Sequence, residues 1–179
     1  MKTSQRMCFF ADTPAHDDGI PGHGGCTMAQ LFVGVKSHFK CLYPIKSEKQ
    51  FPSVLQQVIA DRGAPRSLRS DYARSNRSGI ITNILRMFSI GQTFSEPHNQ
   101  QQNYAERHVQ EVKKDINTLM DRTGTPSEYW LLCALFVVYL SNLLALESIG
   151  WRTPTEVAFG QMPDISAALH FRWWEPSTT

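Results

Sequence analysis

Three acidic residues stand where rigid elements are expected to begin or end: Asp12, Asp71 and Glu106. Asp12 closes residues 6–12, which read as a short buried strand stopped by Thr13 and Pro14. Asp71 closes a second short strand over 67–71, and Glu106 opens a helix running to Met120. Carboxylates brought to one place repel each other unless a cation neutralises them. Hard divalent cations do this, and magnesium takes few carboxylates while water completes its octahedron. Two such ions about 3.5–4 Å apart clamp the attacking and leaving oxygens of an in-line phosphoryl displacement. Taken singly, each acid reads as a surface group at a strand end or, for Glu106, a dipole-complementing helix start. Asp17 and Asp18 compete from a loop, and Asp115 lies off the Glu106 stripe.

The Glu106 helix shows how such a group is positioned. Val109, Val112, Ile116, Leu119 and Met120 recur at the three-and-four spacing of one buried face. Glu106, Gln110, Lys113 and Asn117 fall on a separate polar stripe. The polar loop Gln100-Gln101-Gln102-Asn103 leads into it. Upstream, 27–35 and 39–45 read as covered strands. Ser47 is the expected N-cap of a helix to Asp61 that buries Phe51, Val54, Leu55, Val58 and Ile59. A helix over 80–87, with Ile80, Ile81, Ile84, Leu85 and Phe88 apolar, precedes a fifth strand at 92–95. Three strands followed by helix–strand alternation predict an α/β fold, a mixed five-stranded sheet with helices on both faces. Ligands in such sheets gather where strand ends and helix starts converge. All three acids are therefore placed to meet at one edge.

Length and composition suit one ordinary globular domain, taken as 1–174 with a short tail at 175–179. A net charge of +2 demands no nucleic-acid partner, but Arg62, Arg66, Arg69, Arg74 and Arg77 crowd one segment against only Asp61 and Asp71. That segment reads as a solvated basic face or a phosphate-facing patch. Cys8, Cys26, Cys41 and Cys133 are scattered without a C-x-x-C, as in reduced intracellular proteins. His23 and Cys26 have no second pair, so no zinc site is expected there. Residues 129–146 carry no charge but fall short of the roughly 20 apolar residues a membrane span needs. They predict a helix with one face on the sheet and another left for a partner.

Six short motifs in order carry a family resemblance. They begin with Ala11-Asp12-Thr13 and Ser70-Asp71, and continue with Gln101-Gln102-Asn103-Tyr104-Ala105-Glu106-Arg107. Downstream come Pro126-Ser127-Glu128-Tyr129-Trp130, Tyr139-Leu140-Ser141-Asn142, and Thr153-Pro154-Thr155-Glu156 with Gly160 and Pro163-Asp164-Ile165-Ser166. Together they resemble the catalytic core of copia-type retrotransposon integrases, within the D,D,E retroviral integrase and transposase superfamily. The match covers about residues 8–174, with 147–174 resembling the C-terminal extension typical of the copia type. The resemblance implies a ribonuclease-H-like fold and a Mg²⁺- or Mn²⁺-dependent integrase with two ions held by Asp12, Asp71 and Glu106. It implies element DNA ends and a target duplex as partners, a homo-oligomer, and a nuclear site of action without membrane attachment. Lys113 matches a lysine at the terminal phosphates and Gln102 a mobile-loop glutamine at the DNA end. Gln110, on the Lys113 stripe, and Arg74, in the basic segment, are the further DNA-binding candidates.

The chain departs from the family pattern in places. Tyr72-Ala73 follows Asp71 where Asn-Gly is usual, and Tyr104 stands where Gly-Val would, shortening the loop by one residue. Two other readings remain. One is a non-catalytic nucleic-acid-binding or dimerisation module derived from such an element. The other is a ribonuclease acting on RNA–DNA hybrids, for which Glu48 is the only acid near the expected fourth carboxylate.

Overall fold

Alternation along the second strand explains the layering. A computed structural model describes residues 8–12, 21–70, 79–94 and 104–174, at some of them, Asp12 included, the backbone alone. In β2 (Met28–Gly34) every residue from Ala29 onward is buried. Successive side chains of a strand point to opposite faces. Phe32 accordingly joins one apolar cluster, while Ala29, Leu31 and Val33 join another. A strand covered on both sides must lie inside a sheet flanked by helices. The sheet order is β3-β2-β1-β4-β5, with β1 at Cys8–Asp12, β3 at Lys40–Ile45, β4 at Ser67–Ser70 and β5 at Gly91–Phe94. The pairs β1–β2 and β2–β3 are antiparallel, and β1–β4 and β4–β5 are parallel.

One face is covered by α1 (Phe51–Arg62) and α2 (Gly79–Met87). In α1 the buried stripe is Phe51, Val54, Leu55, Val58 and Ile59, as the spacing predicts. Ser47 does not cap that helix. A 3₁₀ turn over Glu48–Gln50 intervenes, and the Ser47 carbonyl accepts from the Gln50 N–H while its side chain makes no capping bond. Gln50 holds the N-cap position without a side-chain capping bond, its Oε1 instead accepting from the Lys46 N–H at 2.6 Å. The helix ends at Gly63, whose φ of 84° favours glycine and whose N–H returns to the Ile59 carbonyl. In α2 only Ile81, Ile84 and Leu85 are buried; Ile80 is 62% exposed and Phe88 41%.

The other face carries α3 (Tyr104–Thr123) and α4 (Trp130–Leu143). Val109, Val112, Ile116 and Met120 of α3 are buried and Leu119 is half-buried. The apolar segment over 129–146 is helical only to Leu143, entered through a 3₁₀ turn at Ser127–Tyr129. Its inner face buries Trp130, Leu131, Cys133, Ala134, Val137 and Val138, and its outer face exposes Leu132, Leu135 and Tyr139. No helix among the described residues is long and apolar enough to cross a membrane. Short helices follow, α5 (Pro154–Phe159) and α6 (Ser166–His170).

Asn142 ties α4 to the sheet. Its Oδ1 accepts from the Lys40 N–H and its Nδ2 donates to the Lys40 carbonyl, both at 2.8 Å. The side-chain amide thus takes the place of a further strand beside the edge strand β3. With Lys40 facing outward, alternation turns Pro44 outward as well, where its missing N–H costs no ladder bond.

Candidate functional site

Parallel pairing sets the residues that precede two of the predicted acids side by side. Ala11 pairs with Ser70 across β1 and β4, so Asp12 is the last residue of β1 and Asp71 follows directly on the last residue of β4. Neighbouring strands lie about 4.8 Å apart. The Asp12 backbone also pairs with Leu31 on the other side. The Asp12 side chain and all of Asp71 lie outside the described residues. Glu106 sits in the first turn of α3 and is exposed, and α3 packs across β1 and β2. Among the described residues no group of three or more His, Cys, Asp or Glu gathers as a metal site. Of the three expected ligands, only the Glu106 side chain belongs to that set.

The DNA-contact candidates divide similarly. Gln102 and Arg74 lie outside the described residues. Gln110 is exposed and Lys113 half-buried on α3. Both line an open groove of about 560 Å³ together with Lys114, Asn117, Thr118 and Asp121. Lys114 therefore shares the groove of Lys113, although about 100° of helix rotation separates them.

At the start of α3 lies a polar cluster that sequence reasoning missed. The Tyr104 hydroxyl and His38 Nδ1 are 2.9 Å apart. The Tyr104 ring stands edge-on to His108 at 4.5 Å between centroids, and His38 lies 5.7 Å from His108. His108 is buried and its Nδ1 is 2.8 Å from Glu111 Oε2. Burial, and then the nearby Lys40 ammonium, push His108 down to about 4 despite Glu111. At neutral pH that contact is a hydrogen bond donated by a neutral ring, not an ion pair. Burial and Lys40 also hold His38 below its ordinary value, and burial lowers Lys40. The only sequence signal was Tyr104, which breaks the family pattern; His38 and His108 stand 70 residues apart by number, with no local pattern linking them.

No protein-family model matches the chain. The retrovirus-related Pol polyprotein from transposon RE2 of Arabidopsis thaliana is 25% identical over 140 residues, covering 75% of this chain. The chain spans only 10% of that polyprotein's length. Among solved structures, the HTLV-2 integrase catalytic core domain, in complex with magnesium and in trimeric form, matches with a TM-score of 0.66. That match covers 88% of this chain and 99% of the other, at 12% identity. The fold is that of a retroviral integrase catalytic core. A chain from the simian T-cell lymphotropic virus intasome, in complex with a PP2A regulatory subunit, matches at TM-score 0.70. It is 14% identical and covers 96% of this chain and 56% of the other. The integrase-core fold is thus coupled to sequence similarity with a transposon polyprotein.

Proposed function

We propose that the chain is the catalytic core of a copia-type retrotransposon integrase, a metal-dependent polynucleotidyl transferase that trims element DNA ends and joins them to a target duplex. The observation that carries this reading is the register of β1 and β4. It pairs Ala11 with Ser70, the residues that precede Asp12 and Asp71 in the sequence, and α3, whose first turn holds Glu106, packs on β1. Three carboxylates are hard oxygen donors, the set that suits Mg²⁺ or Mn²⁺. Asp12, Asp71 and Glu106 would hold the ions, which supply charge neutralisation and an activated oxygen nucleophile when bound. Lys113 and Gln110 would bind backbone phosphates from the α3 groove, with Gln102 at the DNA end and Arg74 facing phosphate from the basic segment.

The outer face of α4 would join a second copy. It exposes Leu132, Leu135 and Tyr139 in a run of sequence without charge. The C-terminal segment covers part of that helix, Trp173 stacking on Phe136 at 5.3 Å and donating from Nε1 to Thr125 Oγ1. As an integrase the assembly would act in the nucleus.

The test is strand transfer by the purified chain on a duplex carrying its own element's ends, with Mg²⁺ or Mn²⁺. Joined products from the wild type and none from Glu106→Gln support the proposal. DNA binding without products under either metal would instead mark a non-catalytic module, and cleavage of RNA–DNA hybrids alone a ribonuclease.

A further inference from the structure

The cluster at the start of α3 is built on an unusual piece of backbone. His38 has a φ of 57°, a left-handed conformation uncommon outside glycine, though histidine, asparagine and aspartate enter it more often than other side chains. The β2–β3 turn enforces it. The His38 N–H donates to the Gly34 carbonyl and the Gly34 N–H to the Phe39 carbonyl, each at 2.8 Å. Buried Ser37 accepts from the Phe39 N–H, and a Cβ on Gly34 would stand 2.5 Å from the Ser37 Oγ. The turn is therefore tightly determined and holds the His38 ring in one place. A strained residue kept by its surroundings often serves a site.

What the ring meets is the first residue of α3. Helix first turns have N–H groups without intrahelical partners and fray most readily. Tyr104 begins that turn, Glu106 lies two residues on, and His108 falls on the same face as Tyr104 one turn later. His38 contacts both rings, through the 2.9 Å Tyr104 bond and the edge-on His108 contact. Glu106 lies about 200° around the helix from Tyr104 and is exposed. The helix is thus gripped on one side while the carboxylate projects from another.

We infer that His38 and Tyr104 are positioning residues: their contact clamps the first turn of α3 to the β2–β3 turn and so fixes Glu106 relative to β1. The inference rests on the reading of Glu106 as a metal ligand. It also gives Tyr104 a role, since a glycine–valine pair at that point could not make the bond. One proton is shared between the Tyr104 hydroxyl and His38 Nδ1, and the ring's tautomer sets which of them donates.

The test uses three variants of the full chain without DNA. His38→Gly keeps the left-handed turn free of strain and removes the ring. Tyr104→Phe removes only the hydroxyl, and Glu106→Gln removes the carboxylate charge. Amide hydrogen exchange is followed along α3, and Mn²⁺ affinity is measured by calorimetry. In His38→Gly and Tyr104→Phe, exchange should rise about tenfold at residues 108–110, whose N–H groups bond back to first-turn carbonyls, and stay unchanged at 116–120, and Mn²⁺ affinity should fall by about tenfold, the lower end for groups supporting metal ligands. Unchanged exchange at residues 108–110 in both variants overturns the clamp. Intact Mn²⁺ affinity in both, with loss in Glu106→Gln, overturns the positioning role and leaves the metal site standing. Intact affinity in Glu106→Gln overturns the metal-site reading, and the role of His38 with it.

Discussion

The two helical layers bury different chemistry. On one side of the sheet α1 and α2 bury only apolar side chains, from Phe51 to Leu85. On the other, α3 and α4 bury His108 and Asn142 among their apolar residues. A buried polar group is costly unless bonded, so each marks a place where the chain fixes geometry as well as fills space. Asn142 fixes α4 to β3, and His108 belongs to the cluster at the start of α3. The first layer supplies density. The second supplies placement, and it carries Glu106.

Phe32→Ala tests the first layer. Phe32 is fully buried and stacks on Phe51 at 6.2 Å. The cavity should cost about 3–5 kcal/mol in denaturant unfolding. A loss below about 1 kcal/mol would mean that this layer is not the main source of stability. Glu106→Gln, in the other layer, should by contrast leave the unfolding midpoint unchanged.

Asn142→Ala should cost about 1–3 kcal/mol, because it orphans the Lys40 N–H and carbonyl together. Chemical denaturation would read this loss, and exchange at the Lys40 amide should rise with it. Equal stability with a protected Lys40 amide would show that α4 needs no such tie.

The pH dependence of the second layer has a definite sign. His108 is held near 4 in the folded chain, mainly by burial, against about 6.5 when unfolded. Below the unfolded value the unfolded chain binds the extra proton, so stability falls as pH drops from about 6.5 to 4 and is retained above that window. One proton sets an upper slope of about 1.4 kcal/mol per pH unit. Glu111 and partial solvent access reduce it, and Lys40 and His38 oppose the charge. His108→Gln should flatten the curve in that window, and an identical curve would remove His108 as its cause.

The smallest effect concerns the α3 groove. Lys113→Glu should change stability by about 0.5 kcal/mol or less. It should lower DNA affinity and reduce the salt slope by about one. Lys114 lines the same groove yet points about 100° away, and Lys114→Glu should lose less. Affinity against salt concentration for both variants separates them, and equal losses would make the groove merely basic.

Local order fixed much of this protein in advance. The spacing of Phe51, Val54, Leu55, Val58 and Ile59 determined a helix and its buried stripe, since one period of 3.6 residues decides both. The near-continuous apolar run of β2 announced a strand covered twice. The motif around Glu106 announced a helix start. Periodicity could not say how much of a helix its neighbours reach, and of the apolar residues named there Ile80 and Phe88 stand in solvent. It could not see that a 3₁₀ turn would displace Ser47 from its cap. The bonds between His38 and Tyr104 and between Lys40 and Asn142 depend on packing between segments 66 and 102 residues apart. No local pattern encodes such contacts, because only the assembled sheet and its second helical layer bring those residues within hydrogen-bonding distance.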